Sequence, residues 1–336
     1  MKSLYIVFPK KRKVDLQEEV ITDPGSGEVI CAASKSSISI GTETYCLLGE
    51  FDPGTNWDAW VNYPFRPGYG MSATIVAVGK DVLSLQEGDR IAASVAHQQF
   101  FKIQERDAHK IPEGISDDDA SWMSLACTAQ LGVRRAELKL GEDVGVVGLG
   151  ILGQLVVQYA RVSGARRIVA IDPIQERLAL AKEHGAHYTL AIDVKNARHQ
   201  IEEITDGKMM DVVFDVTGHP SVLAPSIRLV RKLGRVVLLG DTPLPSQQCL
   251  GPGVVSDSIA ILGIHGTMAP AQSSEFNPWT HSEMTALFFD LLLQGRMHVA
   301  DLITDHHSPS EAPEIYSRLL QDRSASMGVI FDWSIL

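Results

Sequence analysis

The stretch Val144-Gly-Val-Val-Gly-Leu-Gly-Ile-Leu-Gly-Gln154 decides the fold. It opens as a short buried strand, turns through Gly148, Gly150 and Gly153, and continues as a helix whose apolar residues Leu152, Leu155, Val156, Tyr159 and Ala160 recur at helical intervals. In a strand-turn-helix of this spacing the first glycine makes the bend, the second lets backbone N–H groups approach a pyrophosphate, and the third lets helix and strand pack closely. The helix N-terminus, with its unpaired amides, then faces the phosphates. Such a spacing arises by chance in a chain with 28 glycines, so its weight comes from what surrounds it.

The next apolar run, Arg167-Ile-Val-Ala-Ile171, ends in Asp172. An acid at the tip of the second strand accepts hydrogen bonds from the adenosine ribose hydroxyls and repels a 2′-phosphate, which predicts NAD rather than NADP. The local alternative is that Asp172, standing before Pro173, only caps the following helix. Further strands are predicted at 187–190, 212–215, 236–239 and 259–263, alternating with helices over 150–162, 174–183, 197–204 and 221–232. Strands alternating with helices mean right-handed crossovers and a parallel sheet covered on both faces.

Before this region the pattern differs. Short strands at 4–8, 14–21, 28–34, 73–78, 90–94 and 99–103 are separated by turn signals such as Asp23-Pro-Gly25, Asp52-Pro-Gly54 and Glu87-Gly-Asp89, with few helices, as in an irregular antiparallel barrel. A helical passage follows at 117–136. After residue 269 come helices at 283–294 and 313–321 and a strand at 328–333, too little to fold alone. The expected class is therefore α/β, with a Rossmann, doubly wound parallel sheet (121–268) inserted in a discontinuous β-barrel domain (1–120 and 269–336) and the ligand in the cleft between them.

Composition narrows the function classes. With 336 residues, 45% hydrophobic and 21% charged, the chain has material for two cores. A net charge of −11, with no basic run beyond Lys10-Lys-Arg-Lys13, argues against nucleic acid as a partner. Neither a signal-peptide core nor a membrane span is read near Met1, and a cytoplasmic protein is expected. Cys31, Cys46, Cys127 and Cys249 lie far apart, which predicts reduced thiols and neither a disulfide framework nor a thiolate zinc cluster.

Over nearly its whole length the chain resembles the medium-chain dehydrogenase/reductase superfamily, to which zinc alcohol and polyol dehydrogenases belong. The likeness rests on Ile40-Gly-Thr-Glu43, Pro67-Gly-Tyr-Gly70 leading into Ile75-Val-Ala-Val-Gly79, Gly88-Asp-Arg-Ile91, the glycine turn, Asp172 and Asp215-Val-Thr-Gly218. It implies a GroES-like fold for the barrel. Short stretches around Ser37–Glu43, Leu302–His307 and Val329–Trp333 look most like bacteriochlorophyllide dehydrogenase-like proteins, whose substrate is not carried over. The resemblance places Thr128 beside a nicotinamide, Thr217, Gly240 and Asp241 along the cofactor, Ile151 and Leu152 on its phosphates, and the Ile264–Gly266 backbone near the carboxamide.

The departures carry the mechanism. Where zinc-using relatives have a ligand cysteine, histidine and a third donor, this chain has Ile40, Tyr69 and, near the third place, Ser124. Such a set lacks the thiolate, imidazole or carboxylate that zinc takes, so no metal is expected. Proton handling then falls to Tyr69, to Thr42, which matches the hydroxyl of the proton relay in zinc-using relatives, and to His97 as a possible relay. Each also has a plain structural reading: filler, turn hydroxyl and local hydrogen bonding. Glu43 either orients Tyr69 or His97 or is a solvated turn acid. His306 and His307 point apart and are read as surface, while Trp57, Trp60, Tyr63 and Phe65 either wall a pocket for a large ring-shaped or apolar substrate or pack a loop or dimer contact. The expected activity is NAD-linked, zinc-independent interconversion of a secondary alcohol and a ketone by a homodimer or higher homo-oligomer. The alternatives are an NADPH-preferring alkene or quinone reductase and a protein that holds NAD without redox turnover.

Overall fold

The structure, a computed structural model, describes Met1–Leu336. The chain divides into two units, Met1–Leu125 with Thr285–Leu336, and Ala126–Met284. The first begins with β1 (Lys2–Lys10), β2 (Lys13–Val20), β3 (Glu28–Ser37), α1 (Ile40–Leu48), α2 (Asn56–Trp60), β4 (Met71–Val78), β5 (Arg90–Ala93), β6 (Phe100–Gln104), β7 (His109–Lys110) and α3 (Asp117–Ala120). After α4 (Met123–Arg135) the second unit contributes β8 (Asp143–Val147), α5 (Ile151–Val162), β9 (Arg167–Ile171), α6 (Gln175–Glu183), β10 (Tyr188–Leu190), α7 (Arg198–Ile204), β11 (Met210–Asp215), α8 (Leu223–Ile227), β12 (Val230–Leu238) and β13 (Ala260–Gly263). The chain then closes with α9 (His281–Leu293), β14 (Ile303–His307), α10 (Ala312–Gln321) and β15 (Gly328–Asp332).

In the first unit a seven-stranded sheet runs β14-β15-β3-β4-β5-β7, with β6 also paired to β3, and β1–β2 form a separate hairpin. All its pairs are antiparallel except β14–β15, so the sheet is mixed. The central strand β3 pairs with β4, β6 and β15 and buries Val29 and Cys31 in a core shared with Ile75, Phe101, Tyr316 and Phe331. The N- and C-terminal parts of the chain therefore build one hydrophobic interior.

Helix α1 lies where a turn was expected. Its buried face carries Ile40, Glu43, Thr44, Cys46 and Leu47, so two polar residues interrupt the apolar stripe that would have announced it. Gly49, at φ 64°, ends the helix with its N–H on the Tyr45 carbonyl, a left-handed cap that favours glycine.

The second unit is one sheet in the order β10-β9-β8-β11-β12-β13, every pair parallel. All five residues of β8 are buried, as a strand covered on both faces must be. The order reverses between β8 and β11, and in such sheets the crevice for a ligand opens beyond the carboxyl ends of the strands at that place. Two expectations need correction. The helix predicted at 221–232 is only the five residues of α8, because the chain enters β12 at Val230 to pair with Met210. The unit runs from 126 to 284 instead of 121 to 268: the segment after β13 stays with it, Arg134 lying 3.2 Å over the Trp279 ring and Gln130 donating to the Met284 carbonyl at 3.0 Å. No helix is long and apolar enough to cross a membrane.

Candidate active site

In the second unit the three glycines of the turn after β8 have different surroundings. Gly148 has φ 87°, and a Cβ there would stand 2.6 Å from Thr217 Cγ2; a Cβ on Gly153 would stand 2.0 Å from the Gly148 carbonyl oxygen. Both positions are closed to any side chain. A Cβ on Gly150 would meet nothing within 4 Å. Gly150 is the N-cap of the twelve-residue α5, so the open space lies over the unpaired amides at the start of that helix, including those of Ile151 and Leu152. A bare, amide-lined cradle of this kind suits the pyrophosphate of a dinucleotide.

Asp172 does more than the sequence foretold. It is 5% exposed, and its Oδ2 accepts from the Leu149 N–H at 2.7 Å while Oδ1 accepts from the Ile174 N–H at 2.9 Å. The carboxylate thus caps the turn into α6 and also latches the glycine turn to the tip of β9. Each oxygen keeps a further lone pair. On the other side Gln154, which sequence reasoning passed over, donates through Nε2 to the Leu149 carbonyl at 3.3 Å and to the Arg177 carbonyl at 2.7 Å.

The remaining residues expected around a cofactor gather at the same carboxyl ends. Thr217 abuts Gly148, and its N–H and hydroxyl donate to Asp215 Oδ1 at 3.0 and 2.7 Å; burial pushes the Asp215 carboxyl above its ordinary pKa. A Cβ on Gly240 would stand 2.3 Å from the Gly218 nitrogen, and one on Gly218 would stand 3.0 Å from the Asp241 carbonyl oxygen, so the turns after β11 and β12 touch. Ile264 donates to the Leu238 carbonyl at 3.0 Å, and Gly266 lies directly against Thr128.

In the first unit three hydroxyls meet. The Tyr69 hydroxyl makes a short hydrogen bond to Ser39 Oγ and lies 3.4 Å from Thr42 Oγ1. Ser39 precedes α1 and Thr42 sits in its first turn, while Tyr69 arrives on a turn in which Gly68 has φ 98°. Burial pushes the Tyr69 phenol up to about 12, helped by the nearby Glu43 carboxylate and opposed by the Ser39 and Thr42 hydrogen bonds. The phenol is therefore a hydrogen-bond donor throughout the neutral range.

The places of a catalytic zinc set do not fit that ion. Ile40 offers no donor, Tyr69 is bonded to Ser39, and Ser124 Oγ lies 2.6 Å from Ser94 Oγ. No group of three or more His, Cys, Asp or Glu side chains is arranged to hold a metal. Zinc sites draw on just those donors.

His97 requires correction, and Glu43 takes the first of its two readings, as a partner of His97. His97 is fully buried, with Nδ1 2.8 Å from Ser36 Oγ and Nε2 3.1 Å from Glu43 Oε2, so it is enclosed instead of facing a cleft. Glu43 is 1% exposed and not a solvated turn acid; it bonds His97 directly and reaches Tyr69 only through Ser39. Tyr316 and Trp333, absent from the expected site, complete this cluster: the Tyr316 hydroxyl donates to Glu43 Oε2 in a short bond, and Trp333 Nε1 donates to Ser36 Oγ at 2.9 Å. No local sequence signal joins residues so far apart in the chain.

Of the aromatic set, Trp57 and Phe65 belong to the core, Trp57 stacking on Phe51 at 5.8 Å, and the Tyr63 hydroxyl donates to the Cys46 carbonyl at 2.6 Å. Trp60, packed edge-on to Phe65, is the one that faces solvent appreciably, at 45% exposure. Loop packing thus accounts for most of the group. His306 pairs with Asp118 at 3.0 Å and His307 lies 3.4 Å from Glu311, on opposite sides of β14. Cys31, Cys46 and Cys127 are buried free thiols and Cys249 is exposed.

Comparison with known proteins agrees with this architecture. Residues 152–282 match the family model described as zinc-binding dehydrogenase. The chain is 26% identical over 274 residues to D-guloside 3-dehydrogenase of Escherichia coli, covering 80% of this chain and 78% of that protein. It is 25% identical over 352 residues to L-threonine 3-dehydrogenase of Vibrio cholerae, covering 95% of each. Among solved structures, an Escherichia coli oxidoreductase/dehydrogenase of unknown specificity involved in membrane biogenesis superposes with a TM-score of 0.83 at 16% identity, over 99% of both chains. With its inserted six-stranded sheet, its glycine turn and these relatives, the chain is similar in sequence and fold to the zinc-type alcohol dehydrogenase-like superfamily, the medium-chain dehydrogenases/reductases.

Proposed function

We propose that the protein is an NAD(H)-dependent oxidoreductase that interconverts a secondary alcohol and a ketone without a catalytic metal. The observation that carries this is the Ser39–Tyr69–Thr42 hydroxyl cluster at the place where relatives hold zinc, in a chain whose second unit keeps an open glycine cradle. When bound, the nicotinamide supplies or accepts the hydride. In reduction the Tyr69 hydroxyl proton, which is directed at Ser39 Oγ in the structure, turns to the carbonyl oxygen, stabilises the charge that develops there and is passed to it. Ser39 is buried and Thr42 half-buried, so the phenol regains its proton through Thr42. In this proposal the glycine-turn amides hold the pyrophosphate and Asp172 accepts from the adenosine ribose. The outer edge of β13, which pairs only with β12, is the seam for a homodimer.

The experiment is a comparison of NADH and NADPH, by binding and by turnover with a panel of ketones. NADH is the expected preference, because an acid at the tip of the second strand disfavours a 2′-phosphate. Asp172→Ser should weaken NADH by about 1–3 kcal/mol, the scale of lost charge-assisted hydrogen bonds, and NADPH by less. Isothermal titration of both nucleotides checks this. An unchanged ratio of affinities, or NADPH binding more tightly to the unaltered protein, would contradict the assignment and favour an alkene or quinone reductase. Retained NADH with no hydride exchange across the panel would favour a protein that only binds the nucleotide.

A further inference from the structure

The Glu43 carboxylate is the convergence point of a buried network. Its Oε1 accepts from the Ser39 N–H at 2.7 Å, and its Oε2 accepts from His97 Nε2 at 3.1 Å and from the Tyr316 hydroxyl. Trp333 Nε1 donates to Ser36 Oγ, which lies 2.8 Å from His97 Nδ1, and His97 presents Nε2 to the Glu43 carboxylate. Every donor in the cluster finds an acceptor, which allows an anion to sit out of water.

The same pair borders both partners of the Tyr69–Ser39 bond. On one side Glu43 holds the backbone of Ser39, whose hydroxyl meets the phenol. On the other, the His97 backbone N–H donates to the Pro67 carbonyl at 2.9 Å, and its ring lies so close to Gly68 that a Cβ there would stand 2.7 Å from it. His97 therefore fixes the turn that delivers Tyr69, and Gly68 is the residue that permits the approach.

We infer that Glu43, braced by His97 and Tyr316, is a positioning residue that sets the geometry of the Tyr69–Ser39 pair, taking over with hydrogen bonds the ordering that a metal ion would impose. This rests on the proposed role of Tyr69. The groups surrounding the Tyr69 hydroxyl are Ser39, Thr42, the Glu43 carboxylate and the Cys46 thiol, and the carboxylate is among those that raise the phenol. In Glu43→Gln the amide NH2 must face at least one of three donors, so a bond to Ser39 or to His97 and Tyr316 is lost. Tyr316→Phe removes a single donor and leaves the shape, and it carries the test should Glu43→Gln fail to fold.

The experiment measures kcat, KM and NADH affinity for both variants, each alone and combined with Tyr69→Phe, and follows the Tyr69 phenol by ultraviolet titration, assigned by difference from Tyr69→Phe. Expected is a fall in kcat of about tenfold for Glu43→Gln and a few-fold for Tyr316→Phe, within the range of coupling between residues of one network, with NADH affinity unchanged. Both effects vanish when Tyr69→Phe is already in place, and the Tyr69 titration in Glu43→Gln moves to lower pH. An unchanged kcat, or an equal loss in the Tyr69→Phe background, overturns the inference. If Tyr69→Phe itself costs nothing while the titration still moves, the positioning contact stands and the proposed chemistry falls.

Discussion

Gly153→Ala is expected to disrupt the second unit. The new methyl carbon would stand 2.0 Å from the Gly148 carbonyl oxygen, and backbone meets backbone there, so no side chain is able to swing aside. Overpacking of this severity belongs with the largest single-residue effects, about 4 kcal/mol, equivalent to a fall in Tm of about 10 °C for a unit of this size. Gly150→Ala is the control. Gly150 has an extended backbone with φ −67° and open space where the methyl would go, so the melting temperature should fall by only about 2–4 °C, the cost of alanine at an N-cap, while NADH binding weakens. Calorimetry of the two variants beside a nucleotide titration separates the roles. If Gly150→Ala bound NADH as tightly as the parent, the open face over α5 would not be the pyrophosphate site.

Tyr69→Phe carries the largest expected effect on turnover. It deletes the phenol hydroxyl and nothing else, and general-acid groups typically contribute 10²–10⁴-fold, so kcat for ketone reduction should fall by about 100-fold or more with KM little changed. The pH behaviour follows from a phenol pushed up to about 12. Reduction uses the protonated phenol and should stay flat from about pH 6 to about pH 10; alcohol oxidation needs the phenolate as base and should climb with pH over the same interval. Steady-state profiles in both directions check this, and in Tyr69→Phe the climb should disappear. A retained climb would assign the base to another group.

The two units differ in how far the sequence reveals them. In the second, the central strands β8, β9 and β11 are buried on both faces and read as apolar runs, and Gly148 and Gly153 answer to close contacts around a single turn; hence Gly148, Gly150, Gly153 and Asp172 are legible from local spacing. Even there, α8 is shorter than its pattern suggests, because Leu229 and Val230 continue a helical spacing while belonging to the approach to a strand. In the first unit the decisive contacts are long-range. Glu43 looks like a surface acid until Tyr316 and His97 close over it, and α1 is hidden by that same buried acid. His97 draws attention for its imidazole, yet its value lies in what it braces. The tail is too short to fold without the first part of the chain, but no pattern within it says that Trp333 and Tyr316 end on the two sides of one histidine–glutamate pair.

The most direct measurement is ketone reduction by NADH after exhaustive treatment of the protein with a chelator, with zinc content determined on the same sample. Hydroxyl-assisted hydride transfer predicts full activity at negligible zinc and no gain on adding the ion back. Activity lost to the chelator and restored by stoichiometric zinc would contradict it.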